Sequence, residues 1–168
     1  LIVETGVKNS GKEKKRFTVR GTITPGDITF EKDVEVEPGY TSVVEFDKRY
    51  YPQLTIKNPR LWWPNGYGEP NLYSCRLEVI ADGESSQEKE VTFGIRKYSY
   101  DKNDGVLHIK INDTPVFVKG GNWGMSEYML RARGQEDYDT RIALHKEMNF
   151  NMIRNWLGSV TDEEFYDA

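Results

Sequence analysis

Hydrophobic and polar positions alternate with a period of two through most of the N-terminal half of the chain. In "RFTVRGTI", Phe17, Val19, Gly21 and Ile23 share one face. "DVEVEP" repeats the pattern with Val34 and Val36, and "VVEFD" with Val44 and Phe46. "LYSCRLEV" is the clearest run: Tyr73, Cys75, Leu77 and Val79 face one way, Ser74, Arg76 and Glu78 the other. Such alternation predicts antiparallel strands with one buried face. The breaks carry turn chemistry, in "NSGKE", "TPGD", "EPGY" and "ADGE". Short strands at regular spacing with no helical pattern between them predict an immunoglobulin-like β-sandwich.

The texture changes after "VTFGIRKY" (Val91 to Tyr98). A hairpin is predicted in "GVLHIKINDTPVFVKGGNW": Leu107, Ile109 and Ile111 alternate, Asn112 to Thr114 turn, and Val116 and Val118 resume. "EDYDTRIALHKEMNF" has helical spacing, with Tyr138, Ile142, His145 and Met148 on one face. Glu136, Asp137 and Asp139 stand at its start and His145 and Lys146 in its last turns, the distribution the helix dipole favours. "FNMIRNW" reads as a short buried strand. "TDEEFYDA" opens a second helix, with Thr161 as N-cap and Glu164 completing a capping box. Strand, helix, strand, helix is the start of an α/β fold. The predicted organisation is mainly β, with a sandwich over 1–96 and an incomplete α/β segment over 97–168.

Composition narrows the function classes. Hydrophobic content of 37% against 30% charged residues describes a globular chain, and no apolar run approaches the ~20 residues that cross a bilayer. A net charge of −4, spread along the chain, argues against a nucleic-acid partner. The basic run "KEKKR" (Lys12 to Arg16) reads as a solvated turn between strands. A single cysteine, Cys75, excludes an internal disulfide and a thiolate metal cluster. Its place in an alternating strand predicts a buried core thiol. His108 and His145 lack metal-ligand spacing. No cofactor motif is present, and "GGNW" is no phosphate loop, because no Gly-Lys-Ser/Thr follows.

Four stretches in order carry a family likeness: "NPRLWWPNGYGEPNLY", "FGIRK", "LHIKINDTPVFVKGGNW" and "ALHKEMNFNMIRNW". Together they resemble glycoside hydrolase family 2. Within it, "KGGNW" and "MIRNW" are most similar to the β-mannosidase, endo-β-mannosidase and exo-β-glucosaminidase branch. The β-galactosidase and β-glucuronidase branches usually carry His after the corresponding Arg, where this chain has Asn155 and Trp156. The resemblance implies an immunoglobulin-like sandwich followed by the first β/α units of a truncated (β/α)8 barrel, with a jelly-roll domain and the rest of the barrel elsewhere in the parent chain. It also implies a carbohydrate substrate, retention of configuration and a periplasmic or secreted parent.

The same resemblance assigns the candidate site. "GGNW" would end the first barrel strand and "MIRNW" the second, and barrel chemistry sits at strand C-terminal ends. Asn122, Trp123, Asn155 and Trp156 would then line the sugar site. Arg154 would stand near the catalytic carboxylates and hold one of them ionised. Both expected glutamates would lie on later strands, beyond Ala168, so no catalytic residue is assigned within the chain. Asp162 to Glu164 are accounted for by helix capping. A barrel closes only with all its strands, so residues from about 113 onward are expected to leave strand edges open.

Alternatives attach to particular residues. Trp62, Trp63 and Tyr67 lie in a Pro/Gly/Asn-rich stretch. They suit either a sugar-stacking platform or a structural plug at the end of the sandwich. The first reading makes the chain a carbohydrate-binding or adhesion module. A purely structural interaction module is the third possibility. Asn112 heads "NDT", a glycosylation sequon, but its predicted place in a tight hairpin makes the match a coincidence.

Overall fold

A computed structural model describes residues 1–124, 134–155 and 163–168. Trp156 and Thr161, the expected N-cap, lie outside them. The chain divides into two compact units, Leu1–Arg60 with Asn71–Ile95, and Leu61–Pro70 with Arg96–Ala168. The second boundary follows Ile95, beside the 96/97 division read from the sequence. The loop 61–70 groups with the second unit, which the sequence did not signal.

The first unit is built from β1 (Ile2–Lys8), β2 (Lys15–Thr24), β3 (Ile28–Val36), β4 (Thr41–Asp47), β5 (Tyr73–Ala81) and β6 (Glu84–Phe93), with one short 3-10 turn at Pro52–Leu54. β1 pairs with β4, and a second sheet has the order β3-β2-β5-β6. Every pairing is antiparallel. Val7, Val44 and Phe46 from the smaller sheet join Phe17, Val19, Ile23, Phe30, Val36, Tyr73 and Cys75 from the larger in one buried cluster. Two sheets sharing one core make a β-sandwich. The Phe46 ring sits 4.7 Å from Phe30, tilted, and 5.1 Å from Tyr51, edge to face, and such pairs add about 0.5–1.5 kcal/mol each beyond their burial. Cys75 is buried and unpaired by any disulfide, and burial pushes its thiol above its ordinary value.

The polar face of β2 explains a boundary that the sequence reading misplaced. Lys15 and Arg16 are not in the turn but open β2. Arg16 pairs with Asp33 on β3, and Arg20 with Glu31. Arg16 therefore continues the alternation on the solvent face, whereas Lys15 shares the face of Phe17 at the strand's start and pairs with Asp82 at 2.6 Å. The connection from β1 is organised by Asn9, which is 2% exposed. Its Nδ2 donates to the Glu13 and Val36 carbonyls, both at 2.8 Å, and its Oδ1 accepts from the Gly11 amide. β5 and β6 close through Asp82 and Gly83, both at positive φ, the backbone of a type I′ hairpin.

The second unit begins with a three-stranded antiparallel sheet, β7 (Tyr98–Asp101), β8 (His108–Ile111) and β9 (Thr114–Val116). The β8–β9 turn is two residues long rather than three. Asn112 and Asp113 sit at φ 51° and 64°, and Thr114 already pairs with Ile111. Asn and Asp tolerate this left-handed backbone because their short side chains bond locally. There follow β10 (Gly120–Trp123), α1 (Gln135–Glu147), β11 (Met152–Asn155) and α2 (Glu163–Asp167).

One packing detail inside the sandwich is directly testable. A Cβ added at Gly21 would lie 2.2 Å from the Phe30 ring, which covers that glycine across the β2–β3 ladder. Gly21→Ala is expected to destabilise the chain by about 1–3 kcal/mol, read as a lower urea midpoint with an unchanged slope. A midpoint equal to wild type would show that the ring is not held there.

Candidate functional site

β10 and β11 pair in parallel, joined by a connection that contains α1. Gly120 stands opposite Met152, Gly121 opposite Ile153, Asn122 opposite Arg154 and Trp123 opposite Asn155. Register partners in a parallel pair share a face, and successive residues alternate faces. Asn122 and Arg154 therefore stand together on one face, and Trp123 and Asn155 on the other.

The two faces have different surroundings. Arg154 and Asn122 are both exposed, and Arg154 Nη1 donates to Asn122 Oδ1 at 3.0 Å. Trp123 instead packs into the helical layer. Its ring lies 5.1 Å from Phe165 on α2, and 5.4 Å from His145 and 6.4 Å from Tyr138 on α1. Asn155 shares that face, and its Oδ1 is buried with no hydrogen-bond partner among the described residues. The pleat thus separates residues that the sequence reading grouped: Trp123 from Asn122, and Asn155 from Arg154. Trp156, the fifth candidate, lies outside the described residues.

Gly120 is required by the strand pairing itself. A Cβ there would sit 1.8 Å from the Met152 carbonyl oxygen, whereas one on Gly121 would meet nothing within 4 Å. The close approach that this glycine permits is to the neighbouring strand.

Asparagine side chains fix the backbone around the pair. Asn151, just before β11, accepts from the Lys119 amide at 2.9 Å and donates to the Phe117 carbonyl at 3.0 Å. The Asn151 and Met152 amides both donate to the Lys119 carbonyl. α1 ends in a Schellman arrangement: Asn149 adopts φ 59°, its amide donates to the Lys146 carbonyl, and the Phe150 amide donates to that of His145. Because the helix stops at Glu147, Met148 is left 55% exposed instead of completing the predicted apolar face. Asn65, from the tryptophan loop, donates to the Lys146 and Phe150 carbonyls at 3.0 and 3.1 Å.

The remaining loop contacts settle what its aromatic residues touch. Asn112 Nδ2 donates to the Trp62 carbonyl, and the Phe117 amide donates to the Tyr67 hydroxyl. The Arg96 guanidinium stands 4.5 Å above the Trp62 ring. The Trp63 ring lies against Gly68, where a Cβ would come within 2.9 Å. Both tryptophans are half-buried within the second unit. Asn112 also accepts from the Lys97 amide at 2.8 Å, so its side-chain nitrogen and oxygen are both engaged.

Acidic groups near the pair have local partners. Asp137 meets Arg141 at 3.0 Å, and Asp139 accepts from Gln135. β10 and β11 carry no carboxylate. His145 Nδ1 donates to the Arg141 carbonyl at 2.8 Å. His108 meets Asp104 at 2.9 Å, and that hydrogen bond holds the Asp104 carboxyl below its ordinary value. Among the described residues, no group of His, Cys, Asp and Glu is arranged to hold a metal ion. No described helix is long and apolar enough to cross a membrane.

A β-sandwich precedes a parallel strand-helix-strand unit whose second strand carries Arg154 next to its last residue. The family described as "Glycosyl hydrolases family 2" matches residues 1–96, and the chain belongs to that family. It is 38% identical over 172 residues to the mannosylglycoprotein endo-beta-mannosidase of Lilium longiflorum, covering 98% of this chain and 18% of that protein. It is 28% identical over 169 residues to the exo-beta-D-glucosaminidase of Streptomyces avermitilis, covering 99% and 18%. The crystal structure of the beta-D-mannosidase from Dictyoglomus thermophilum superposes with a TM-score of 0.78 at 30% identity, over 99% of this chain and 20% of that one. The chain thus spans about a fifth of the length of these relatives.

Asn151→Ala removes two hydrogen bonds to backbone groups at the entry to β11. The expected loss is about 1–3 kcal/mol, with faster amide exchange at Lys119 and through β10 and β11 while Val19 and Ile23 stay protected. Unchanged exchange across β10 and β11 would show that the clasp does not hold the strands.

Proposed function

We propose that this chain is part of a retaining β-glycosidase acting on β-linked mannosides or glucosaminides. Residues 1–96 supply an immunoglobulin-like accessory sandwich, and 97–168 the opening of a (β/α)8 barrel with one wall of its active site. The observation that carries this reading is the Arg154–Asn122 pair, exposed together on one face at the ends of two parallel strands. In barrels of this kind chemistry gathers at the strand C-terminal ends. The names of the relatives, an endo-beta-mannosidase, an exo-beta-D-glucosaminidase and a beta-D-mannosidase, support the substrate class.

Retaining hydrolysis needs two carboxyl groups about 5–5.5 Å apart, one as nucleophile and one as acid/base. β10 and β11 supply neither, and in this reading both come from the remainder of the parent. Arg154 serves them as a fixed cation: a guanidinium beside a carboxylate favours its ionised form, which the nucleophile requires. Asn122 faces the substrate with it. Trp123 and Asn155 support the wall from the opposite face, Trp123 by wedging the strand end against Tyr138 and Phe165. Trp156 is retained as a substrate contact. The alternative of a free-standing sugar-binding sandwich would need Trp62 and Trp63 as a ligand platform. The contacts of both with their own unit weigh against it.

The test is hydrolysis of aryl β-mannosides and β-glucosaminides by the full-length parent, with Arg154→Ala alongside. Wild type is expected to cleave at least one of them, and the variant to lose about ten- to a hundredfold in kcat, the worth of a charge-assisted hydrogen bond, at an unchanged unfolding temperature. The 168-residue chain alone is expected to cleave none. Full activity in Arg154→Ala, or hydrolysis by the chain alone, would overturn the assignment.

A further inference from the structure

We infer that Asn122 is a positioning residue: it holds the Arg154 guanidinium in place without neutralising it. This rests on the reading of Arg154 as a wall residue of the glycosidase site. Arginine has a long side chain that carries about 2 kcal/mol of rotamer entropy when free. An exposed arginine at the end of a strand therefore samples many orientations unless a neighbouring group restrains it. Among the described residues the restraint is a single hydrogen bond, Nη1 to the amide oxygen of Asn122 at 3.0 Å. Its geometry follows from the strand pairing, because Asn122 and Arg154 are register partners. That pairing depends in turn on Gly120, where any side chain would strike the Met152 carbonyl.

The identity of the restraint matters. Guanidinium carries five N–H donors in a planar fork. One bond from Nη1 to Asn122 leaves Nε and Nη2 able to face an anion in the two-bond geometry that carboxylates accept. An amide oxygen is neutral, so the full positive charge remains available to whatever stands in front of the fork. An aspartate at the same position would hold the guanidinium at least as firmly but would neutralise it. Asn122→Asp is close to isosteric, so it separates holding the arginine from keeping it charged. Trp123, the next residue, faces the other way into the helical layer, so the strand end is fixed by packing while Asn122 stays on the open face.

The experiment uses the full-length parent and one aryl β-glycoside that it cleaves. It compares wild type, Asn122→Ala, Asn122→Asp, Arg154→Ala and the double variant Asn122→Ala/Arg154→Ala. Asn122→Ala is expected to lower kcat about five- to tenfold, the worth of one hydrogen bond, with KM within about twofold. It is expected to add no further loss in the Arg154→Ala background. Asn122→Asp should move the acidic limb of the kcat/KM profile to higher pH, because a neutralised guanidinium no longer favours the ionised nucleophile. A merely structural asparagine would not move that limb. Wild-type kcat in Asn122→Ala, an undiminished further loss in the double variant, or an unmoved limb in Asn122→Asp would each overturn the inference while leaving Arg154 in its role. If Arg154→Ala itself keeps full activity, the underlying reading of the site fails instead.

Discussion

The side-chain amides of Asn65, Asn112 and Asn151 hold the second unit together. Each bonds two backbone groups in exposed or half-buried settings, where a hydrogen bond contributes about 0.5–1.5 kcal/mol. Asn151 ties the entry of β11 to the segment before β10. Asn65 caps the carbonyls at the end of α1. Asn112 joins the start of β7 to the tryptophan loop. With those points fixed, two four-residue strands hold a defined register, although strands so short have few ladder bonds of their own. The register brings Asn122 and Arg154 to one face.

The sandwich is held in a different way. Its core is closed by packing alone, with a lone buried cysteine in place of any cross-link. Phe46, Phe30 and Tyr51 form the aromatic centre. Gly21 leaves the space that the Phe30 ring fills. The solvent face carries exposed ion pairs, each of which adds little stability, since exposed pairs contribute about 0–1 kcal/mol. One unit thus depends on buried apolar contact, and the other joins the packing of Trp123 on Tyr138 and Phe165 to directed hydrogen bonds at short strands and loops.

This difference governs what could be read from the sequence. β2 and β5 were legible because one of their faces is buried, so alternation had a physical cause. β6 was not singled out, because it is an edge strand exposed almost throughout and its "ESSQEKE" stretch has no apolar face to betray it. The tryptophan loop was recognisable as stiff from Pro59, Pro64 and Pro70. Its membership of the second unit was not, because that depends on Asn65 meeting carbonyls more than eighty positions away. Family resemblance located "GGNW" and "MIRNW", but neither has an alternating pattern to tell Asn122 from Trp123. The packing of Trp123 against Phe165 supplied the distinction. Met148 was placed on the apolar face of α1 but is its C-cap, because Asn149 takes a left-handed backbone, for which asparagine is a weak signal among several.

The functional account therefore rests on one geometric claim, the register of β10 on β11. The measurement that tests it most directly is the set of interstrand nuclear Overhauser contacts in the labelled chain. The account predicts cross-strand contacts linking Asn122 to Arg154 and Trp123 to Asn155, the pairs of the parallel register. Contacts shifted by one residue, with Trp123 opposite Arg154, would put the indole and the guanidinium on the same face. That result would contradict both the division between the two faces and the site built upon it.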